Sequence, residues 1–157
     1  SLNSNGIATL RFNFRGVGTS TGEFGDGTSE VSDAIRVLEH TSSLNTVDGS
    51  RIGVIGYSFG AGIALESTIE SDIVKAVVSI ACPQRHFSTF GTVEIVQPKL
   101  LICGDRDHDF PASQFNFLSG RFTKPCQSEI LTGADHFFSG YESVLGDLAS
   151  DFFLGIL

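Results

Sequence analysis

Ile52-Gly53-Val54-Ile55-Gly56-Tyr57-Ser58-Phe59-Gly60-Ala61-Gly62-Ile63-Ala64-Leu65-Glu66 decides the reading of the whole chain. A short apolar run leads into Gly-x-Ser-x-Gly and then into small, helix-compatible residues, so strand, sharp turn and helix follow one another directly. Such a turn forces the serine backbone into a strained conformation and lifts its hydroxyl above the sheet edge. Both Gly56 and Gly60 are expected to be obligatory, because a side chain at either would collide with the neighbouring strand or helix. The first N–H groups of a helix have no intrahelical acceptor, which leaves the Phe59 amide free to face an oxyanion. Ser58 is the candidate nucleophile. The competing reading, a glycine-rich turn with a chance serine, loses ground to the partners found downstream.

A serine hydroxyl is a weak nucleophile until a base takes its proton, and the base needs an orienting acid. The loop after the apolar run at 98–103 reads Gly104-Asp105-Arg106-Asp107-His108-Asp109-Phe110-Pro111, and the loop after 124–131 reads Gly133-Ala134-Asp135-His136-Phe137-Phe138. Both follow predicted strand C-termini, the edge on which open α/β sheets place their sites. His136 is the candidate base, since His40 falls at a helix end, His86 in an excursion and His108 inside the acidic loop. Asp107 has the best loop position for the acid, ahead of Asp105, which suits a loop-stabilising role. Asp109 is expected to cap the helix ahead of Pro111, and Asp135 to form a turn. The Asp105, Asp107, His108, Asp109 cluster lacks the glycine and the bidentate glutamate of a calcium loop, so neither a metal nor another cofactor is expected.

Outward from these motifs, apolar strands alternate with amphipathic helices. That pattern predicts one α/β domain over residues 1–157, a mostly parallel sheet flanked by helices in three layers. Five strands are expected, at 7–14, 51–57, 75–81, 98–103 and 124–131, the last near the sheet edge. Helices are expected at 30–40, from the elbow to about residue 70, at 109–117 and at 141–154, the last burying Val144, Leu145, Leu148, Phe152 and Phe153. Residues 2–6 read as the tail of a helix stopped by Gly6. The loop 15–22 superficially resembles a dinucleotide fingerprint, but its third glycine comes one position late and no helix opens on it, leaving a mobile surface loop as the simpler reading.

The formal net charge of −8 argues against nucleic-acid and anionic-membrane partners and leaves a small molecule as the expected one. Cys82, Cys103 and Cys126 are odd in number and widely spaced, which suits buried free thiols in a reducing compartment and predicts a cytoplasmic protein. The most apolar stretch, 52–69, carries glycines, Tyr57, Ser58 and Glu66 and does not suit a membrane span. The start has no basic or apolar leader-like segment, lacks Met and opens abruptly on a strand, so a longer parent chain is expected.

Taken together, these residues resemble the α/β-hydrolase superfamily, and within it small lid-less members related to dienelactone hydrolases and acyl-peptidase-like esterases. Arg11-Phe12-Asn13-Phe14-Arg15-Gly16-Val17-Gly18, with Ser20 and Gly22, is similar to that family's fourth strand and following loop. Gly56–Gly60 resembles its elbow, Gly104–Asp107 its acid loop, and Gly133–Phe138 its histidine loop. The resemblance implies a serine hydrolase of ester or related acyl bonds that works through Ser58, His136, Asp107 and an acyl-enzyme. Ser58 stands where true dienelactone hydrolases use cysteine, which favours esterase- or peptidase-type chemistry. The family's earlier strands have no counterpart here, including the loop that supplies its second oxyanion donor, so the Phe59 amide is the one donor identified. Losing one donor costs about 10²–10³ in rate, and the alternative reading is therefore a catalytically impaired binding or scaffold domain. The excursion at 84–97 is short for a lid and implies an open, shallow site. Phe87, Phe90, Phe137 and Phe138 could line an apolar acyl pocket, but such aromatics are more often core, so one or two of them are expected at the pocket, with Tyr57 and Phe137 assigned to substrate binding.

Overall fold

The computed structural model describes residues 1–90 and 94–157. After a 3₁₀ turn at Asn3–Asn5 the elements are α1 (Thr28–Ser42), β1 (Ile52–Tyr57), α2 (Phe59–Glu70), β2 (Val74–Ile80), α3 (Gln84–Phe90), β3 (Lys99–Gly104), α4 (Ala112–Ser119), β4 (Cys126–Leu131) and α5 (Glu142–Leu154). The strands form one parallel sheet in the order β1-β2-β3-β4. Residues 91–93 of the expected excursion lie outside the described residues.

The central strands are apolar on both faces because helices cover both. Val77, Leu101 and Cys103 pack with α2, α3 and α4 on one side, in a cluster that also holds Leu65, Phe87 and Phe115. Ala76, Val78, Ile80, Leu100 and Ile102 pack with Phe152 and Phe153 of α5 on the other. The helix after the elbow, α2, is buried at Ala61, Gly62, Ile63, Ala64 and Leu65, and its small residues let it lie close to the sheet. α1 closes the same side, with Val31, Ala34 and Leu38 turned inward. Its Glu30 is fully buried and accepts hydrogen bonds from the Gly25 and Gly27 amides at 2.6 and 3.0 Å, which fixes the entry to the helix.

Among the described residues the sheet has four strands, not the five expected. Residues 7–14 alternate as a strand should but form no ladder, and Leu10 and Phe12 are exposed. A strand needs a partner, and among the described residues β1 pairs with β2 alone. Ile7 packs instead with the α5 cluster and Phe14 with Phe59 and α1. Ile55 and Tyr57 on β1 are correspondingly exposed. Residues 2–6 are a single 3₁₀ turn rather than a helix tail, closed by Gly6 at φ 79°. Val144 faces solvent, because it falls off the stripe that Leu145, Leu148 and Phe152 make on α5. The N-cap of α4 is Pro111, without a side-chain cap, so Asp109 does not cap that helix.

The loop 15–22, with Gly16, Gly18 and Gly22 all at positive φ, is tied to α1 rather than loose. Arg15 donates from Nε and Nη2 to the two carboxylate oxygens of Asp33 at 2.9 and 2.6 Å. That hydrogen bonding holds Asp33 below the ordinary aspartate value. All three cysteines are free; Cys82 and Cys103 are buried and Cys126 is half-buried. Burial pushes the Cys82 and Cys103 thiols up to about 12. No helix among the described residues is long and apolar enough to cross a membrane.

Candidate active site

Between the last residue of β1 and the first of α2 the chain reverses at Ser58, with φ 52° and ψ −120°. A non-glycine residue in that region is strained. The tightness of the turn explains Gly56: a Cβ there would stand 2.1 Å from the Gly60 carbonyl oxygen. Gly60 is different from expectation, since a Cβ there meets only the Phe14 ring, at 4.0 Å. One glycine of the motif is dictated by contact and the other is not. Ser58 occupies the N-cap position of α2 but does not cap it. Its amide donates to the Ile80 carbonyl at 2.8 Å, and its Oγ lies 3.0 Å from His136 Nε2.

His136 comes from the turn after β4. Asp135 builds that turn as expected, its Oδ1 accepting from the Phe137 and Phe138 amides at 2.9 and 3.1 Å. Tyr57 donates its hydroxyl to the His136 carbonyl at 2.8 Å, so the residue before the serine holds the histidine backbone. Asp105 accepts from the Gly133 amide at 2.7 Å and the Arg106 amide donates to the Ala134 carbonyl at 2.9 Å, which lashes the acidic and histidine loops together. On the far side of the ring, His136 Nδ1 lies 2.9 Å from Asp107 Oδ2. The other oxygen of Asp107 accepts from the Asp109 amide at 2.9 Å. The Asp107 side chain is 1% exposed and that of His136 19%. The structure therefore brings Ser58, His136 and Asp107 into one hydrogen-bonded row and sets Asp105 to tying the loops.

Beside Ser58 opens a cleft of about 570 Å³, lined by Ser58, Phe59, Pro83, Gln84, Arg85 and Asp109. Tyr57 and Phe137 stand outside that lining, Phe137 being 74% exposed. Among the described residues none of the four candidate phenylalanines lines the cleft. Phe87, Phe90 and Phe138 are core residues, Phe87 stacking with Phe110, Phe115 and Phe122 on the inner side of α3. His86 packs over Gly62 and accepts from Arg85 Nε at 3.1 Å, away from the cleft lining. Gln84, Arg85 and Asp109 escaped the sequence reading as cleft residues. Their signal was position: each follows the C-terminal end of a parallel strand. Asp109 also brings Oδ2 to 3.9 Å from His136 Nδ1. Asp107, Asp109 and His136 are the group with metal-ligand types among the described residues, and Nδ1 and the Asp107 oxygen are already spent on each other.

An alpha-beta serine hydrolase homologue from Coxiella burnetii superposes on this chain with a TM-score of 0.84 at 32% identity, over 96% of this chain and 71% of its own. An α/β serine hydrolase without lid from Xanthomonas campestris gives a TM-score of 0.72 at 27% identity, over 92% and 63%. An uncharacterized protein of Rickettsia prowazekii (strain Madrid E) is 33% identical over 147 residues, which is 87% of this chain and 60% of that protein. The chain thus spans about 60% of the rickettsial relative's length. Residues 19–146 match the model of the dienelactone hydrolase family, a span that contains the elbow, the acidic loop and the histidine loop, and the chain belongs to that family.

Proposed function

We propose that the protein is a serine hydrolase that cleaves an ester or related acyl bond of a small molecule. The observation that carries this reading is the row Ser58 Oγ, His136 Nε2, His136 Nδ1, Asp107 Oδ2, with contacts of 3.0 and 2.9 Å. Ser58 attacks the carbonyl carbon while His136 takes the hydroxyl proton at Nε2. Asp107, desolvated and held by the Asp109 amide, keeps the proton of the ring on Nδ1 and stabilises the imidazolium that forms. The Phe59 amide faces the developing oxyanion. His136 then gives its proton to the leaving alcohol, and water, activated by the same imidazole, releases the acid from the acyl-enzyme. No step needs a cofactor, and the formal net charge of −8 disfavours nucleic-acid and anionic-membrane partners. Three unpaired thiols suit a reducing compartment such as the cytoplasm.

In protein of its natural length, a fluorophosphonate probe is expected to label the wild type at Ser58, and Ser58→Ala is expected to abolish labelling. A wild type that neither takes the probe nor hydrolyses p-nitrophenyl acetate overturns this reading in favour of a non-catalytic binding domain.

A further inference from the structure

The walls of the cleft are at odds with a site for plain alkyl esters. Phe87, Phe90 and Phe138 are in the core, and the cleft residues beyond the elbow are Pro83, Gln84, Arg85 and Asp109. Polar wall groups gain nothing from an alkyl chain and lose their water to it. We propose that Gln84 is a specificity-determining residue, and that the preferred substrates carry a neutral hydroxyl group that hydrogen-bonds to its carboxamide. This rests on the serine-hydrolase reading of the same site.

Three observations meet at Gln84. The first is strain. Ala81, at the exit of β2, has φ 51°, a left-handed conformation in a residue with a side chain. Backbone strain of this kind persists where the surroundings enforce it, and it clusters at functional sites. The Ala81 amide donates to the Ile102 carbonyl at 2.9 Å, which ties this strained residue to β3. The second is rigidity. The Pro83 carbonyl accepts from the His86 and Phe87 amides at 3.0 Å each, and Phe87 is 1% exposed, anchoring α3 in the core. A wall fixed in this way loses little entropy when it binds. The third is valence. The Gln84 carboxamide makes no hydrogen bond among the described residues, although Gln84 lines the Ser58 cleft. Its two N–H donors and its carbonyl are all available to a ligand.

Charge narrows the class. The cleft carries one guanidinium, Arg85, and one carboxylate, Asp109. Their opposite signs favour neither a cationic nor an anionic substrate strongly, and Arg85 Nε is engaged with His86. A neutral group that both donates and accepts, as a hydroxyl does, matches a carboxamide in that setting.

The test compares ester pairs that differ only in hydroxyl groups, with protein of its natural length. The acyl arm is p-nitrophenyl butyrate against p-nitrophenyl 3-hydroxybutyrate; the alcohol arm is propyl butyrate against glyceryl 1-monobutyrate. In one arm or the other, the hydroxylated ester is expected to have a kcat/KM about tenfold higher, the scale of one partly exposed hydrogen bond. The near-isosteric Gln84→Met is expected to erase that ratio, chiefly through KM, and Gln84→Asn to restore part of it. Equal kcat/KM within both pairs overturns the proposal in the wild type alone, whatever the variants do. A preference that survives Gln84→Met also overturns it. Turnover and probe labelling without a hydroxyl preference sinks this inference and leaves the hydrolase reading standing, whereas no turnover and no labelling sinks both.

Discussion

The α-carbon of Gly104 sits against the backbone of Ala134 so closely that a Cβ on it would lie 2.2 Å from the Ala134 carbonyl oxygen. Gly104 ends β3 and starts the loop of Asp107; Ala134 lies two residues before His136. The obstruction is backbone on both sides, so it can be relieved only by moving one loop relative to the other. Gly104→Ala is therefore expected to cost about 1–3 kcal/mol of stability by overpacking. It is also expected to lower kcat/KM by about 10², the penalty of misplacing a reacting group by about an ångström. Thermal denaturation and ester kinetics on the same preparation check both; activity within twofold of wild type refutes the argument.

The two glycines of the elbow are expected to part company. Gly56→Ala drives a Cβ to 2.1 Å from the Gly60 carbonyl oxygen and to 2.7 Å from the Ala61 α-carbon, so the helix cannot start where it does. A loss of several kcal/mol, or no soluble protein, is expected. Gly60→Ala has room, and alanine is the better helix former by about 1 kcal/mol, so the variant is expected to be as stable as wild type or slightly more stable. Chemical denaturation of the pair separates the two roles, and equal destabilisation contradicts the geometry.

Asp107 and Asp109 both face His136 Nδ1, at 2.9 and 3.9 Å, but only Asp107 is buried. Asp107→Asn keeps the shape and loses the charge that fixes the ring tautomer, and kcat is expected to fall about 10⁴-fold. Asp109→Asn removes a 73%-exposed charge that water and salt screen, and a loss of no more than about tenfold is expected, shrinking further as salt is raised. Comparable losses in the two variants would place the orienting acid on the wrong residue.

The Arg15–Asp33 pair predicts a pH dependence of stability. Asp33 is held below the ordinary 3.8 of an aspartate, first by the Arg15 side-chain hydrogen bond. A carboxylate depressed in the folded state stabilises it above the unfolded value and loses that contribution as pH falls through the folded one. The stability gap between wild type and Asp33→Asn is therefore expected to be constant near neutrality and to close as pH drops below 3.8. Denaturant melts in that acid range against melts at pH 7 measure it; a gap unchanged in acid refutes the pair as its source.

The hydrogen-bonded row was legible in the sequence because each of its members follows a strand end, and strand ends are marked by local apolar runs that stop at glycine. The fourfold sheet was legible for the same reason, but residues 7–14 were not, since a strand is made by its neighbour and no local pattern records whether one is there. Whether Phe87 and Phe90 belong to the core or to a pocket was left open because α3 is short, and which face of a short helix points inward depends on what lies beneath it. The cleft wall was hidden for a further reason: it follows Ala81, which takes a left-handed conformation, and alanine carries no sequence signature for that. Gly60 misled in the opposite direction, a motif position that contact does not require.

The sulfur atoms of Cys82 and Cys103 lie inside the protein, with ionisation pushed up to about 12. Alkylating and disulfide-exchange reagents act on thiolate, so at neutral pH these two residues offer them almost nothing. In a cell extract profiled with parallel warheads, haloacetamides will pass over both positions in the native protein and find them after denaturation. Of the three free thiols, only the half-buried Cys126 is left partly within reach of such reagents.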